Sequence, residues 1–598
     1  MFGNKSFSLN LIMRRLLIKR NLLLAVFTSL TVALTAGSAS AQGYLSAKGR
    51  IIVNGKGEKV ILRGMGLGGW MLQEGYMFHL SNLGQQHRIR EAIESVIGPE
   101  KTANFYQKWL TYHTTRADID SMAKWGFNSV RLPMHYALYT LPVDQEPVAG
   151  KNTWIEKGFA LTDSLLTWCK ANKMYLILDL HATPGGQGND LPISDRYADK
   201  PSLWQSEANQ QKMIALWHKL AQRYANEPYI GGYDIINEPN WGFENATDKI
   251  GNQETKNEPL KKLMMDVTKS IREVDKKHII IIEGNAFGNN YNGLLPTWDN
   301  NMVLSFHKYG NFNTQQAIQH FLDLSDRYNV PLWMGESGEN SNTWFTEEIG
   351  LVESHNIGWS WWQLKKMGIN NPLEIKEPKN YQLLLDYWSG KGPKPTEAQS
   401  EAILNELLEN LKVKNNIWHK DVTDAMFRQV STTETKPFKV HKLINKLTIN
   451  AVDYDLGRQR YAYMDRDTAS YIYTPGVHTQ GNRGHAYRND GVDIQRDSLG
   501  YHIFSIEDGE WLQYTINVKK AGIYKIRFNV SSTNGDGKIT TVIGAASPAA
   551  TVNVPATGSD HNWKMTDAEN IRLRAGNNKL RIIADKGDFT LKSIELSN

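Results

Sequence analysis

Two carboxylates stand where short apolar runs end. "GGYDIINEPN" (231–240) sets Asn237 and Glu238 directly after an apolar stretch, and "PLWMGES" (331–337) does the same for Glu336. Brought face to face across a cleft, such a pair can cleave a glycosidic bond. One carboxylic acid protonates the leaving oxygen, and the other, ionised, attacks the anomeric carbon. A separation of roughly 5–5.5 Å gives double displacement with retention. Unlike surroundings and neighbouring charges set the two pKa values apart. Polar and aromatic groups end the other runs as well: Arg131 in "FNSVRLP", Asp179 and His181 in "MYLILDLH", His307 and Tyr309 in "MVLSFHKY", and Trp361 and Trp362 in "IGWSWWQ". In that setting Asn237 binds a sugar hydroxyl beside the acid, Tyr309 donates to Glu336 and keeps it anionic, and Arg131 adds positive charge. Two other acids compete. Glu283 follows "IIII", and Glu339, three residues after Glu336, reads as a loop residue. Pattern alone leaves Glu283 open as the partner of Glu238.

The elements that must position these groups recur at even spacing. Runs at 60–66, 127–133, 174–181, 233–239, 278–284, 302–309, 331–337 and 357–363 are each followed by a polar loop and a helical pattern. "TTRADIDSMAKW" and "NQQKMIALWHKLAQRYA" are amphipathic at helical period. Eight β runs alternating with helices predict an α/β (β/α)8 barrel, and near-continuous apolar runs suit parallel strands buried on both faces. Chemistry in that fold sits at the C-terminal strand ends, so the tips of runs four and seven face one another across the mouth. After about residue 440 the period changes to two, as in "EWLQYTINV", "GIYKIRFNV" and "NKLRIIAD", with Gly, Asn and Asp turns between. That predicts an all-β, jelly-roll-like sandwich. "STTETKPFK" has a linker's composition. The expected organisation is a signal peptide over 1–41, the barrel domain over 42–430, a linker over 431–440 and the sandwich over 441–598.

Composition narrows the class. A chain of 598 residues calls for two or three domains. The net charge is +6, but Lys5, Arg14, Arg15, Lys19 and Arg20 lie in the first 41 residues without an acid, and the rest carries about +1. No nucleic-acid partner is implied. "MRRLLIKR", then "LLLAVFTSLTVALTA", then "GSASAQG" reads as a secretory signal cut before Gln42, which predicts a secreted or periplasmic protein without a membrane anchor after processing. The single cysteine, Cys169, excludes an intrachain disulfide and sits in a helical pattern as a small hydrophobe. No zinc or phosphate-loop motif occurs, so neither cofactor nor metal is expected. A monomer acting on a polysaccharide is expected.

"GFNSVRLP", "LDLHATPGGQG", "IINEPN", "SFHKYG", "MGESG" and "GWSWWQLKK" appear in the order seen in glycoside hydrolase family 5, which this segment (roughly 50–395) resembles. The resemblance implies a barrel that hydrolyses β-linked glycans with retention. It implies Glu238 as acid/base, Glu336 as nucleophile, and Arg131, His181, Asn237, His307 and Tyr309 as the supporting shell. Trp362 matches the tryptophan under the sugar beside the scissile bond, and Glu283 has no catalytic counterpart. "LRGMGLGGWMLQEGYM" resembles the start of the exo-β-1,3-glucanase branch. On that match Glu74 grips hydroxyls of the terminal glucose and the substrate is a β-1,3-glucan, with an endo-β-1,4-glucanase as the alternative. Met65 departs from that branch's usual Asn. The sandwich resembles a family 6 carbohydrate-binding module in "AYRNDGVDI", "IEDGEWLQYTINVKKAGIYKIRFNV", "HNWKM" and "GDFTLKSIEL". Tyr487 and Trp563 match the two aromatic residues that hold a sugar there. Lys592 replaces the family's Asn, and Asn450 and Val452 replace the glutamates of its structural calcium site.

Overall fold

The computed structural model describes residues 43–544 and 548–598; the signal segment expected over 1–41 lies outside the described residues. All eight apolar runs form strands: β1 (Arg63–Gly66), β2 (Ser129–His135), β3 (Tyr175–Ala182), β4 (Ile230–Asp234), β5 (Ile280–Glu283), β6 (Met302–Lys308), β7 (Leu332–Gly338) and β8 (Gly358–Trp362). They pair in parallel in sequence order, and β8 closes on β1 through Trp359, Ser360 and Trp361 against Arg63, Gly64 and Met65. Every residue of β2, β3, β6 and β7 is buried, as a sheet wrapped inside helices requires. No helix among the described residues is long and apolar enough to cross a membrane.

The helices follow from local chemistry. Arg116–Trp125 begins with a capping box of Thr115 and Asp118, buries Ile119 and Met122, and stops at Gly126, whose φ of 117° suits glycine. Cys169 is buried in the helix Glu156–Ala171 as a free thiol. One connection departs from the expected alternation. Between β5 and β6 only the short turn Asn285–Gly288 appears, with Ala286 and Phe287 left-handed. The intervening sequence is rich in Gly, Asn and Pro and lacks an apolar 3.6 period, so nothing there can bury a helix face.

Residues after β8 thicken the barrel's wall. Glu397–Asn410 lays Ile403, Leu404, Leu407 and Leu408 into a core shared with Ile89, Ile93 and Trp109, and Trp362 belongs to that same core. The exit of β8 is pinned by Lys365. Its ammonium donates to the carbonyls of His113 (2.7 Å) and Leu411 (3.0 Å) and to Asp118 Oδ1 (2.6 Å), all without solvent access to either charge.

Two sheets make up the C-terminal sandwich, antiparallel except where His441–Leu443 pairs in parallel with Trp511–Val518. One runs through Trp511–Val518, Gly576–Lys586 and Lys538–Ile543; the other runs through Gly500–Ile503, Thr590–Ser597 and Gly522–Ser531. Tyr514, Ile516, Ile526, Phe528, Leu580 and Ile594 fill the space between them. The segment expected to be a linker is already bound to the sandwich, because Lys436 exchanges both backbone hydrogen bonds with Leu456. Barrel and sandwich share a polar seam. Asn342 Nδ2 donates to Asp421 (2.9 Å) and Asp490 (3.1 Å), Asn489 Nδ2 donates to the Asn340 carbonyl (2.8 Å), and Thr343 meets the Tyr463 hydroxyl at 2.8 Å.

Lys365→Met leaves the Asp118 carboxylate buried without its counter-charge. The expected loss is about 3–5 kcal/mol of barrel stability, read from denaturant unfolding followed by circular dichroism.

Candidate active site

Arg131 leaves β2 with no solvent exposure and reaches across the barrel interior. Its guanidinium lies 3.3 Å from Asp179 on β3, 3.0 Å from Asp234 on β4, 3.1 Å from Glu283 on β5 and 2.8 Å from Glu336 on β7, and it donates to Asn237 Oδ1 at 2.8 Å. Five parallel strands are thereby tied to one cation at the C-terminal mouth.

Glu238 follows the tip of β4 in a left-handed conformation (φ 40°) that a side-chain-bearing residue adopts only when its surroundings hold it. They do: its N–H donates to Glu283 Oε2 at 2.7 Å, and its carbonyl accepts from Asn240 Nδ2 at 2.9 Å. Its carboxylate oxygen Oε1 lies 2.6 Å from His307 Nδ1, while His307 Nε2 lies 3.1 Å from Glu283. On β7, Glu336 accepts from Arg131 (2.8 Å) and from the Tyr309 hydroxyl (2.8 Å). One oxygen of Glu238, one of Glu336 and a ring nitrogen of His307 lie within 4.8 Å of one another. This trio has the spacing of a metal site, but both His307 nitrogens donate to carboxylates, and an imidazolium has no lone pair to offer a metal.

The charges sort themselves by contact. Burial works against charge on His307, but Glu283, Glu336 and Glu238 outweigh it and hold its pKa well above the ordinary value. Burial likewise opposes Arg131, and Asp179, Asp234, Glu336 and Glu283 more than compensate. Glu283 is held below the usual carboxylate range by His307 and Arg131 in spite of its burial. Asp234 goes the other way: burial, then Glu283, push it well above that range, with Arg131 pulling against them. Glu336 is raised by burial and by Glu238, with His307, Arg131 and His181 pulling against them.

The floor of the site is aromatic. Trp362 lies parallel to the His181 ring (centroids 5.1 Å, 7°) and donates through Nε1 to the Tyr76 hydroxyl at 2.8 Å, which in turn donates to Gln363 at 3.1 Å. The ring lies hard against the "RGMGLGG" backbone. A Cβ at Gly66 would sit 2.7 Å from Trp362 Cε3, and one at Gly68 2.7 Å from Cζ2. His181 is oriented by Asp179, 2.8 Å from its Nδ1, and by Asn237, 3.3 Å from its Nε2. Glu74 is buried nearby. Burial, then Glu336, Glu339 and Glu238, push its pKa well up, and among the described residues no protein group donates to its carboxyl, which leaves that carboxyl available to a ligand.

Comparison with known proteins decides the class. Residues 92–368 match the cellulase family model (glycosyl hydrolase family 5), and residues 485–598 match carbohydrate binding module family 6. Residues 92–368 are thus a glycosyl hydrolase family 5 domain, and residues 485–598 a family 6 carbohydrate-binding module. Among curated relatives, a "Beta-xylosidase" of Phanerodontia chrysosporium is 27% identical over 378 residues, covering 57% of this chain and 75% of that protein. "Endoglucanase C" of Acetivibrio thermocellus is 24% identical over 332 residues (45% and 89%). A "Probable glucan 1,3-beta-glucosidase A" of Aspergillus niger is 29% identical over 184 residues (30% and 41%).

Within this hydrolase the barrel residues expected from sequence converge on one cleft. Arg131, His181, Asn237, Glu238, His307, Tyr309, Glu336 and Trp362 are linked by the contacts above, and Glu74 is buried near enough to feel the charges of Glu336 and Glu238. Glu283 is fully buried and spends its oxygens on Arg131, His307 and the Glu238 N–H, so it supports the pair and does not face the cleft. Glu339 is drawn off by Lys366, 2.5 Å away. Sequence reading passed over Asp234 and Tyr76. A charge inside an apolar strand run signals the first; nothing local signals the second. In the carbohydrate-binding module the two expected rings have separate neighbours. Tyr487 packs against Tyr501 (4.7 Å) and donates its hydroxyl to Asp453 (2.5 Å), while Trp563 packs against His502 (5.1 Å) under the Lys592 ammonium (5.1 Å).

Gly66→Ala drives a methyl group into the Trp362 ring without touching a carboxylate. Activity on a β-glycoside is expected to fall by about tenfold to a hundredfold in kcat/KM, with the melting temperature as the control.

Proposed function

We propose that this hydrolase is a retaining β-glucanase that works by double displacement. Glu238 donates a proton to the glycosidic oxygen as Glu336 attacks the anomeric carbon, forming a glycosyl–enzyme ester and releasing the aglycone. Glu238 then takes a proton from water, whose oxygen displaces Glu336 and restores the original anomeric configuration. The observation that carries this reading is that an oxygen of each carboxylate lies within 4.8 Å of the other, which suits the close spacing of a direct nucleophile and not the roughly 6.5–9.5 Å that an inverting pair needs. Arg131 and Tyr309 favour the anion at Glu336, and the His307 N–H on Glu238 Oε1 leaves the other oxygen to carry the proton. Trp362 supplies an apolar face for the pyranose ring, and Glu74 and Asn237 supply hydrogen bonds to its hydroxyls.

The preferred substrate is β-1,3-glucan, supported by the "LRGMGLGGWMLQEGYM" resemblance and by the Aspergillus niger relative. Endo-β-1,4-glucanase action is the second reading, supported by the Acetivibrio thermocellus relative. The carbohydrate-binding module holds the same class of polysaccharide through Trp563 and Tyr487 with its neighbour Tyr501. The protein acts as a monomer outside the cytoplasm, secreted or periplasmic, and needs neither metal nor nucleic acid.

Product analysis on laminarin, carboxymethylcellulose, lichenan and xyloglucan tests the reading, with Glu336→Gln as the blank. Glucose released first from laminarin is expected. Oligosaccharides from a β-1,4 substrate with laminarin untouched would establish the endoglucanase instead, and activity equal to the blank on all four would remove the glucanase reading.

A pH profile tests the roles. Glu336 acts as an anion, and burial raises its pKa, so activity is retained above that pKa and lost as pH falls through it. The acid limb of kcat/KM is therefore expected above the ordinary Glu value of about 4.3. Tyr309→Phe removes a donor to the carboxylate, raises the pKa further and moves that limb to higher pH; an unmoved limb would separate Glu336 from the titration.

A further inference from the structure

The carbohydrate-binding module sends one loop back to the barrel's mouth. Ser470 and Asn340 exchange two hydrogen bonds: Asn340 Nδ2 donates to the Ser470 carbonyl at 2.7 Å, and the Ser470 N–H donates to Asn340 Oδ1 at 3.0 Å. Three residues on, the Tyr473 N–H donates to the Gly310 carbonyl at 2.9 Å. Both anchors on the barrel follow the strands that carry the chemistry. Gly310 comes directly after Tyr309, the donor to Glu336, and Asn340 comes four residues after Glu336 itself. The contact at Gly310 is close, since a Cβ there would meet Tyr473 Cδ2 at 2.9 Å and Ile472 Cγ1 at 3.0 Å.

The loop is fastened, yet its apolar side chains are not used up in fastening it. Tyr473 is 66% exposed and Ile472 67%, although both backbones are held against the barrel. Tyr471, between them and Ser470, packs its ring on Phe312 at 4.6 Å, and Phe312 is itself exposed on the barrel side. A tyrosine that served only to glue two modules together would bury its ring in the joint. Here the backbone makes the joint, one edge of the ring rests on Gly310, and most of the ring stays exposed at the rim of the catalytic cleft. A flat ring, pinned by its main chain and open on its face, suits the apolar C–H face of a pyranose. The carboxylates of Glu339, Glu238 and Asp190 add to partial burial in raising the Tyr473 hydroxyl, which agrees with a ring that looks toward the catalytic cleft.

We propose that Tyr473, a residue of the C-terminal module, is a substrate-positioning residue of the barrel's active site: it stacks on a glucan unit of the chain being cleaved, next to the units held over Trp362 and Glu74. The proposal rests on the β-glucanase reading. It gives the module's loop a role in the cleft itself, separate from any polysaccharide that the sandwich holds through Trp563 or Tyr487.

The experiment compares wild type, Tyr473→Ala and Tyr473→Phe in the full-length chain on the glucan that wild type hydrolyses. Melting temperatures are recorded for all three. Stacking predicts that Tyr473→Ala raises KM by about tenfold, with kcat within about twofold and an unchanged melting temperature. Tyr473→Phe keeps the ring and stays near wild type. In the Glu336→Gln background, Tyr473→Ala is expected to weaken binding of a soluble oligosaccharide of that glucan by the same factor, read by calorimetry. Equal KM in wild type and Tyr473→Ala overturns the assignment. So does a loss confined to kcat, or a loss that Tyr473→Phe shares in full. A wild type inactive on every glucan fails earlier, at the β-glucanase reading, and is told apart because it needs no variant to be seen.

Discussion

The Arg131 guanidinium is the constraint on which the site depends. A buried cation is costly unless its partners replace the water it has lost. Here Asp179, Asp234, Glu283 and Glu336 surround it, with Asn237 taking a further N–H. Each partner belongs to a different barrel strand or to a strand's tip, so the register of β2 to β5 and of β7 is read out at one group. Closing a barrel from parallel strands leaves the polar ends of those strands pointing at one another. Arg131 is what allows so many acids to share that space, and His307 is the second cation that completes it.

The same network gives two glutamates so near each other different surroundings. Glu336 is gripped by Arg131 and Tyr309, both donors to the anion. Glu238 sees neither. It is fixed by its backbone, in a left-handed conformation held by the Glu283 carboxylate, and by His307 on one oxygen. Glu283 is thus the pivot between the two catalytic candidates: it orders the main chain of one and shares Arg131 with the other. Were it exposed and unpaired it would be a rival; fully buried and triply bonded, it has no oxygen left to offer a substrate. Asp234, crowded by Glu283 and removed from water, is the acid of this cluster whose pKa is pushed up while that of Glu283 is held down.

How far the sequence could be read follows from how local each signal is. The barrel strands are legible because each is a continuous apolar run punctuated by turn residues, and the polar group at a run's end marks its C-terminal tip. Glu238, Glu336, His307 and Tyr309 were visible in that way. The missing helix between β5 and β6 was also written locally, as a stretch of Gly, Asn and Pro without an apolar period. Tyr76 was not legible. Its partner Trp362 is 286 positions away, and nothing around "EGYM" announces a hydroxyl that receives an indole N–H. Nor was the tight fit of Trp362 over Gly66 and Gly68, where the glycines matter for what packs against them and not for their own conformation. In the sandwich, alternation revealed the strands. Which rings would neighbour which depends on loops whose course no periodicity encodes, and Tyr501 beside Tyr487 emerged only from the fold.

The division of the chain into a hydrolase and a binding module is true of its sheets and less true of its surfaces. The loops after β6 and β7 have two tasks. They continue the chain from Tyr309 and from Glu336 at the end of β7, and within a few residues they supply Gly310, Asn340 and Asn342 to the sandwich. Loops that carry catalytic groups are usually free to move on one side. These are bonded on the outer side to a folded sandwich. Asn342 makes the point most directly: one amide group donates both to Asp421, from the helical wall of the barrel, and to Asp490, from the sandwich. The segment that follows Glu336 is thus bonded to the sandwich through side chains that lie outside the cleft.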